Sequence, residues 1–433
     1  GTDSCPYGVI DWAASSTTDN DGDGCKDDAS SPGLVNITMG NGSSGSTGHI
    51  SFRDIVADSN GSMYITGSFK GSVNFGAFNL TSVSTTGGNT HGDDAFVAKL
   101  NNTGSWEWAI QGGGSKRDSG GKIVLDSNDD VYVYGIHWVS STFGNTTLNT
   151  GCNCAGTFLS KISNGGSWIW TMSAGYSDGY VGIEEGSLAI DFEDNLFVLG
   201  EIDSGGQNNE ISVEKIAPDG TSIWDVSVAS SGHISGHDID TNAEGDAFIT
   251  GQFQGTVSFG NSSHTTTISA NTAFVAKISG GGSWLWGNVA TVHSAGSGLH
   301  GFGIVASDHG DVYITGEMWQ GATFGNITRG ATGYPAAFIA GVNSTGNWTW
   351  AESLRYAKGT AIAIDQRGDL FVTGEYIQYS ITIASTILPI EYNYGAYQNR
   401  NIFVAKIVPG GNWTTGWQWA YGIGASGGTC CGS

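Results

Sequence analysis

The segment DSNGSMYITG, residues 58–67, opens on polar turn formers, alternates apolar and polar side chains, and stops at Gly67. That is the pattern of a tight turn followed by a short half-buried strand. The element returns as DSNDDVYVYG at 126–135, DFEDNLFVLG at 191–200, NAEGDAFITG at 242–251, SDHGDVYITG at 307–316 and DQRGDLFVTG at 365–374. Downstream of each copy lies another strand: AFVAKL around Phe96, TFLSKI around Phe158, ISVEKI around Val213, AFVAKI around Phe274, AFIAGV around Phe338 and IFVAKI around Phe403. A closing element follows, with Trp106 and Trp108, Trp168 and Trp170, a lone Trp224, Trp284 and Trp286, Trp348 and Trp350, then Trp417 and Trp419.

Each unit therefore reads as four short strands with Asp, Asn and Gly turns between them, and no helical period is sustained. The third unit, roughly 178–231, is the most degenerate. A four-stranded sheet recurring every roughly 50–70 residues cannot bury both faces alone, but packed radially against its neighbours it can. The expected fold is all-β: a β-propeller of six recognisable four-stranded blades, or seven if the N-terminal segment supplies a degenerate one. Both tryptophans of each closing strand are expected on one face, wedged between blades. Gly-rich first strands such as SGHDID suit the crowded centre. The divisions are an N-terminal extension at 1–48, the propeller at 49–426 and a Cys-containing tail at 427–433.

TGSFKGSVNFG (66–76), AFVAKLNNTGSWEWA (95–109) and TGQFQGTVSFG (250–260) resemble the SBBP-type β-propeller repeat, and the likeness covers about 49–426. The resemblance implies a propeller in an exported, cell-surface protein. It implies no chemistry, since propellers host unrelated functions.

The chain has 433 residues, 70 of them Gly, with 16 Lys+Arg against 40 Asp+Glu and a formal charge of −24. A surplus of negative charge repels phosphate backbones and anionic membranes, so nucleic-acid and peripheral lipid partners are not expected, whereas cations are. No run approaches the roughly 18 apolar residues of a membrane span. The start at Gly1 has no basic-then-apolar leader, so any signal segment is expected to have been removed.

Within the extension, Asp19, Asp21 and Asp23 alternate before Gly24, like the first half of an EF-hand loop. The carbonyl of Cys25 is the next candidate ligand, and Asp27 or Asp28 closes the shell where Ser30 replaces the usual Glu. Many flexible oxygen ligands favour Ca2+ over magnesium. The stretch resembles thrombospondin type-3 and dockerin-like calcium loops. Upstream, Val9, Ile10, Asp11, Trp12 and Ala13 match the closing-strand pattern of WEWAIQ. This spare strand can begin a seventh blade, close the ring on the sixth, or add to an edge of another copy, head to tail.

Cys5, Cys25, Cys152, Cys154, Cys430 and Cys431 lack zinc spacing and read as disulfide partners of open connectivity. Sequons occur at Asn36, Asn41, Asn60, Asn79, Asn101, Asn145, Asn261, Asn326, Asn343, Asn347 and Asn412. With the cysteines they favour a secreted, glycosylated protein at the cell surface.

Catalytic signals are weak. His233 and His237 lie about 13 Å apart if extended, too far to share a zinc ion, and His293 and His300 are treated alike. Asp93–Asp94 and Asp129–Asp130 read as turn residues, and Glu184–Glu185 would point to opposite faces. The residues four before each turn, expected on the inner strands, are Asp54, Lys122, Ser187, Asp238, Gly303 and Ala361, a mixed set without a triad. The recurrent Lys99, Lys161, Lys215, Lys277 and Lys406 read as strand-edge residues laid over apolar neighbours. Trp138, Trp319, Tyr376 and Tyr379 are candidates for stacking on sugars.

The expectation is a non-enzymatic structural protein that polymerises through its terminal strand, calcium loop and cysteines. The alternatives are an adhesin or carbohydrate-binding propeller using the long loops at 76–94 and 376–400, and a hydrolase or lyase centred on Asp54, Lys122 and Asp238.

Overall fold

The repeat's leading polar residue closes its own turn. Oδ1 of Asp58, Asp126, Asp191, Asn242 and Asp365 each accepts two backbone N–H groups, from the residues two and four further on, at 2.9–3.1 Å. A short polar side chain is required because it must reach back to the main chain within the turn. The computed structural model describes residues 37–39, 49–83, 92–174, 186–203, 208–266, 270–293, 298–330, 334–365, 367–377, 379–383, 386–389, 400–410 and 417–423. Ligand candidates Asp19 to Asp28, the strand at Val9 to Ala13, Cys5, Cys25, Cys430, Cys431, Glu184, Glu185 and the sequons Asn36, Asn41 and Asn412 lie outside them.

Each repeat forms one antiparallel sheet in which sequential strands are neighbours. The first comprises His49–Ala57, Met63–Lys70, Asp94–Leu100 and Trp106–Gly114; the second, Ser119–Leu125, Val131–Trp138, Ala155–Ile162 and Trp168–Ser173. The third has Gly186–Ile190, Leu196–Asp203, Asn208–Ile216 and Ser222–Ala229; the fourth, Ile234–Thr241, Ala247–Phe253, Thr272–Ile278 and Trp284–Val289. The fifth has Leu299–Ala306, Val312–Trp319, Pro335–Val342 and Trp348–Arg355; the sixth, Ala357–Ile364, Leu370–Ile377, Arg400–Ile407 and Trp417–Ile423. No helix occurs among the described residues, and none is long and apolar enough to cross a membrane. The fold is a β-propeller, with each sheet as a blade, its first strand innermost and its fourth outermost.

The two tryptophans of the outer strand do not share a face. A bulge in each pairing of third and fourth strands, as between Lys161 and Ile162, shifts the register between them. Trp168 thus packs with Phe143 and Phe158 toward the first blade, while Trp170 meets Tyr132 and the third blade. The second tryptophan pins the next blade by donating its indole N–H to a turn carbonyl there. Trp108 bonds Asn164 O at 2.8 Å, Trp170 bonds Pro218 O at 3.3 Å, Trp224 bonds Gly280 O at 3.0 Å and Trp286 bonds Ser344 O at 3.2 Å.

The third-strand lysines are enclosed rather than laid along an edge, with Lys99, Lys215, Lys277 and Lys406 buried and Lys161 half-buried. Nζ meets the turn carboxylates in Lys161–Asp126 (2.9 Å), Lys215–Asp191 (2.8 Å), Lys277–Asp246 (2.8 Å) and Lys406–Asp369 (2.9 Å). Lys99 bonds Glu107 at 3.2 Å, and all five ammonium groups sit 4.8–5.1 Å from the ring centres of Tyr64, Tyr132, Phe197, Phe248 and Phe371. The fifth blade has Gly341 opposite Tyr313 instead.

Between the second and third strands, the Phe-Gly motif marks an additional hairpin. Ser140–Phe143 and Thr146–Asn149 extend the outer edge of the preceding blade, pairing Ser141 with Gly114 and Thr142 with Gly113. The hairpins of the fourth and fifth blades likewise reach the outer ends of the third and fourth, at Ser230 and at Thr291–Val292. The first blade's hairpin, Ser72–Phe75 with Phe78–Thr81, has no preceding blade, and Ile37–Met39 pairs there instead.

Candidate functional sites

The inner strands bring together the residues four before each turn. A bulge after Phe52, Gly120, Gly236, Gly301 and Gly359 sets the register of Asp54, Lys122, Asp238, Gly303 and Ala361. Lys122 Nζ lies 3.6 Å from Asp238 Oδ1, linking the second blade to the fourth, and Ser187 Oγ of the third donates to the same oxygen at 2.7 Å. Asp238 Oδ2 accepts the N–H of Ile304 at 2.9 Å, and Asp54 Oδ2 accepts that of Ile123 at 3.0 Å. Asp238 raises the Lys122 ammonium above its usual range, while burial pushes the Asp54 carboxyl up. The polar residues of the channel thus tie inner strands of different blades together through Asp54 Oδ2 and both carboxylate oxygens of Asp238.

A second group faces the channel on the fourth to sixth blades. His237 and His300 flank Phe302, with ring centres 5.3 and 5.8 Å away, and Lys358 sits 4.2 Å from that ring. His237 Nδ1 donates to Gly301 O at 2.6 Å. Burial and the charges of His237 and Lys358 push His300 down to about 4, so its imidazole is neutral at physiological pH. His293 is elsewhere, bonded to Thr323. No three His, Cys, Asp or Glu side chains among the described residues are arranged to hold a metal ion.

The junction between the sixth and first blades is the open one. In five blades the inner-strand residue paired with the second strand's glycine is itself glycine, because the preceding blade approaches there. A Cβ on Gly120 would lie 1.9 Å from Thr66 Oγ1, on Gly186 2.6 Å from Tyr134, on Gly236 2.8 Å from Leu199, on Gly301 2.3 Å from Thr250 Oγ1 and on Gly359 2.0 Å from Thr315 Oγ1. The first blade carries Phe52 there, exposed and edge-on to Phe96. Ile55, which holds the place of Ile123, Ile239 and Ile304, is 56% exposed where those are 3%, 4% and 3%. On the sixth blade, Ile402 is 51% exposed where its equivalents Ala95, Ala273 and Ala337 are buried, and Tyr421 beside it is also exposed.

Among other candidates, Trp138 is half-buried, Trp319 and Tyr379 are exposed, and Tyr376 is buried with its hydroxyl donating to Pro389 O at 2.8 Å. Asp129 and Asp130 lie in a turn as expected, but Asp94 belongs to a strand and is buried, accepting the N–H of Val83. Cys152 and Cys154 are bonded to each other, with Cα atoms 5.3 Å apart. Asn145, Asn261 and Asn326 stand exposed at hairpin tips directly after Phe-Gly, and Asn60, Asn79 and Asn347 are exposed too. Asn101 and Asn343 use their side-chain oxygens to close turns. The hairpins, the bulge glycines and the tryptophan–carbonyl bonds were missed in the sequence. The Phe-Gly repeats and the Gly at 120, 186, 236, 301 and 359 were the available signals.

No described protein family matches the chain, and no curated protein does. Among solved structures it is similar to the Dos1 propeller, at 10% identity over 87% of this chain and 84% of that one, with a TM-score of 0.43. A protein of unknown function from Bacteroides caccae is 10% identical over 77% and 97%, with a TM-score of 0.37. A Synechocystis apocarotenoid oxygenase mutant is 11% identical over 70% and 68%, with a TM-score of 0.32. Likenesses this loose carry no functional argument and neither assign nor remove a catalytic role.

Proposed function

We propose that the protein is an extracellular structural subunit that assembles with copies of itself through the open junction between its sixth and first blades. One observation carries this: Phe52 and Ile55 on one side, Ile402 and Tyr421 on the other, are exposed, whereas Ile123, Ile239 and Ile304 in the place of Ile55 and Ala95, Ala273 and Ala337 in the place of Ile402 are buried. Contiguous exposed apolar surface on a soluble protein marks an interaction site. The two faces differ, so a contact between copies is head to tail, and repeated without closing into a ring it builds a filament. The calcium loop at Asp19, Asp21, Asp23, Cys25, Asp27 and Asp28 would order the N-terminal segment, Cys5, Cys25, Cys430 and Cys431 would lock neighbours, and glycans at the hairpin-tip sequons would coat the rim.

Electron microscopy of the purified protein with and without chelator and reductant tests this proposal. Filaments or sheets are expected, shortened by chelator or reductant. Monodisperse single propellers under all conditions would refute it.

A second reading, a carbohydrate-binding propeller, is favoured by a cluster of three tyrosines. Tyr334, Tyr356 and Tyr379 pack with ring centres 4.4–5.6 Å apart, with Arg355 over Tyr356, and Tyr334 and Tyr379 are exposed. Glycan-array binding that disappears in Tyr379→Ala would support it, and an array without hits would remove it.

A further inference from the structure

The open face of the first blade keeps only half of a normal junction. At its inner end Phe52 stands where a preceding blade's second strand would approach, so another blade cannot seat there as closely as at the other junctions. At its outer end the features that receive an outer strand remain. The hairpin holds Ile37–Met39 in the register in which the next hairpin holds Gly112–Gly114, with Met39 opposite Val73 and Gly114 opposite Ser141. The turn at Asn101–Gly104 has the build of the four turns that each accept an indole N–H. Its glycine has φ +80°, like Gly166, Gly220, Gly282 and Gly346 at φ +81° to +90°. In those turns a tryptophan bonds the carbonyl two residues before the glycine, which here is that of Asn102. Among the described residues no indole bonds Asn102. Trp419, the sixth blade's second tryptophan, has its ring against Phe371 and Tyr421 and no indole bond among the described residues.

The occupant such a half-junction fits is therefore one tryptophan-bearing outer strand without the rest of its blade. Outside the six repeats the sequence holds one segment of that pattern, residues 9–15, in which Trp12 aligns with Trp108 and Ala13 with Ala109. Ile37 corresponds in register to Gly112, and counting four residues back along the sequence reaches Gly33, not a tryptophan.

Resting on the assembly reading above, we infer that Trp12 from a second copy seats on the Asn101–Gly104 turn, its indole N–H on the Asn102 carbonyl. The joint between copies is then a donated outer strand that imitates the bond between blades within a copy.

The experiment replaces Trp12 with benzoylphenylalanine in isotopically heavy protein, mixes it with light protein, irradiates the assemblies and sequences the crosslinked peptides. Heavy–light crosslinks to residues 101–105 are expected. Crosslinks confined to heavy–heavy pairs overturn donation between copies. Filaments without crosslinks to this turn overturn the slot while the assembly reading stands, and absence of filaments from unsubstituted protein removes both. A free peptide of residues 8–16 should stop growth, and its Trp12→Ala form should need about 30-fold more, as loss of a central tryptophan anchor costs at interfaces. Equal potency of the two peptides also overturns the slot.

Discussion

A β-carbon on Gly301 would stand 2.3 Å from the hydroxyl oxygen of Thr250, so the fourth and fifth blades meet only because that position has no side chain. Phe52 holds the corresponding place on the first blade. The open junction is the one where this position departs from glycine, and Ile55 and Ile402 are exposed on its two sides.

The glycine inside the second strand, opposite the inner strand's bulge, is required by that bulge. A Cβ on Gly251 would lie 2.0 Å from Ser235 O, whereas Gly200, in a blade where the strand pairing shows no such bulge, has its nearest neighbour at 3.8 Å. Gly251→Ala should therefore cost about 2 kcal/mol or more by denaturant unfolding, as overpacking does, and Gly200→Ala should cost under about 1 kcal/mol. Equal costs at both sites would contradict the bulge argument.

Indole bonds hold the blades in sequence. Trp224→Phe keeps an aromatic ring but loses the indole's second ring and its bond to Gly280 O, at an expected cost of about 1 kcal/mol or more. Trp419→Phe has no such bond to lose and should leave the unfolding midpoint unchanged in the unassembled protein. A matching loss at both positions would show that the bond is not what matters.

Lys161 is enclosed by Asp126, Asp130 and Tyr132. Lys161→Ala strands the buried Asp126 carboxylate and should cost about 3–5 kcal/mol. Adding Asp126→Asn should recover part of that cost in a double-mutant cycle. Additive losses would mean that the lysine acts through packing alone.

The protonation of two buried carboxyls should set the pH response. Burial pushes Asp94 and Asp118 up to about 7, and each is fully enclosed. Their ordinary value is 3.8, so between about pH 4 and 7 the folded chain holds protons that the unfolded chain has released. Their contribution is therefore full at the acid end of that window and is lost as pH rises through about 7. Melting temperature should fall from pH 5 to pH 8, and less steeply in Asp118→Asn. A rise with pH over that window would contradict the burial argument.

The legible part of the fold was local. Asp58, Asp126 and Asp365 announce turns because their side chains bond backbone two and four residues away, and alternation around Ile65 or Val133 announces strands. The bulge between Lys161 and Ile162 was not legible, since one extra residue in a pairing leaves no mark in either strand alone. It sends Trp168 and Trp170 to opposite faces where alternation puts them on one. The lysine ion pairs escaped notice because Lys161 and Asp126 are separated by a hairpin and become neighbours only across paired strands. In the channel, Asp54, Lys122, Ser187 and Asp238 were aligned by the repeat, but the backbone N–H groups that occupy them come from other blades. Phe52 was visible all along as the one departure from glycine, and its meaning needed the close approach at Gly301 and its counterparts.

Sedimentation velocity on the unsubstituted protein and on Ile55→Asp, at matched concentration and with unfolding midpoints measured alongside, puts the open junction itself on trial. A charge on an exposed face should leave the midpoint unchanged and convert large assemblies into single propellers. Assemblies of undiminished size in Ile55→Asp would contradict the proposal that copies join through this face.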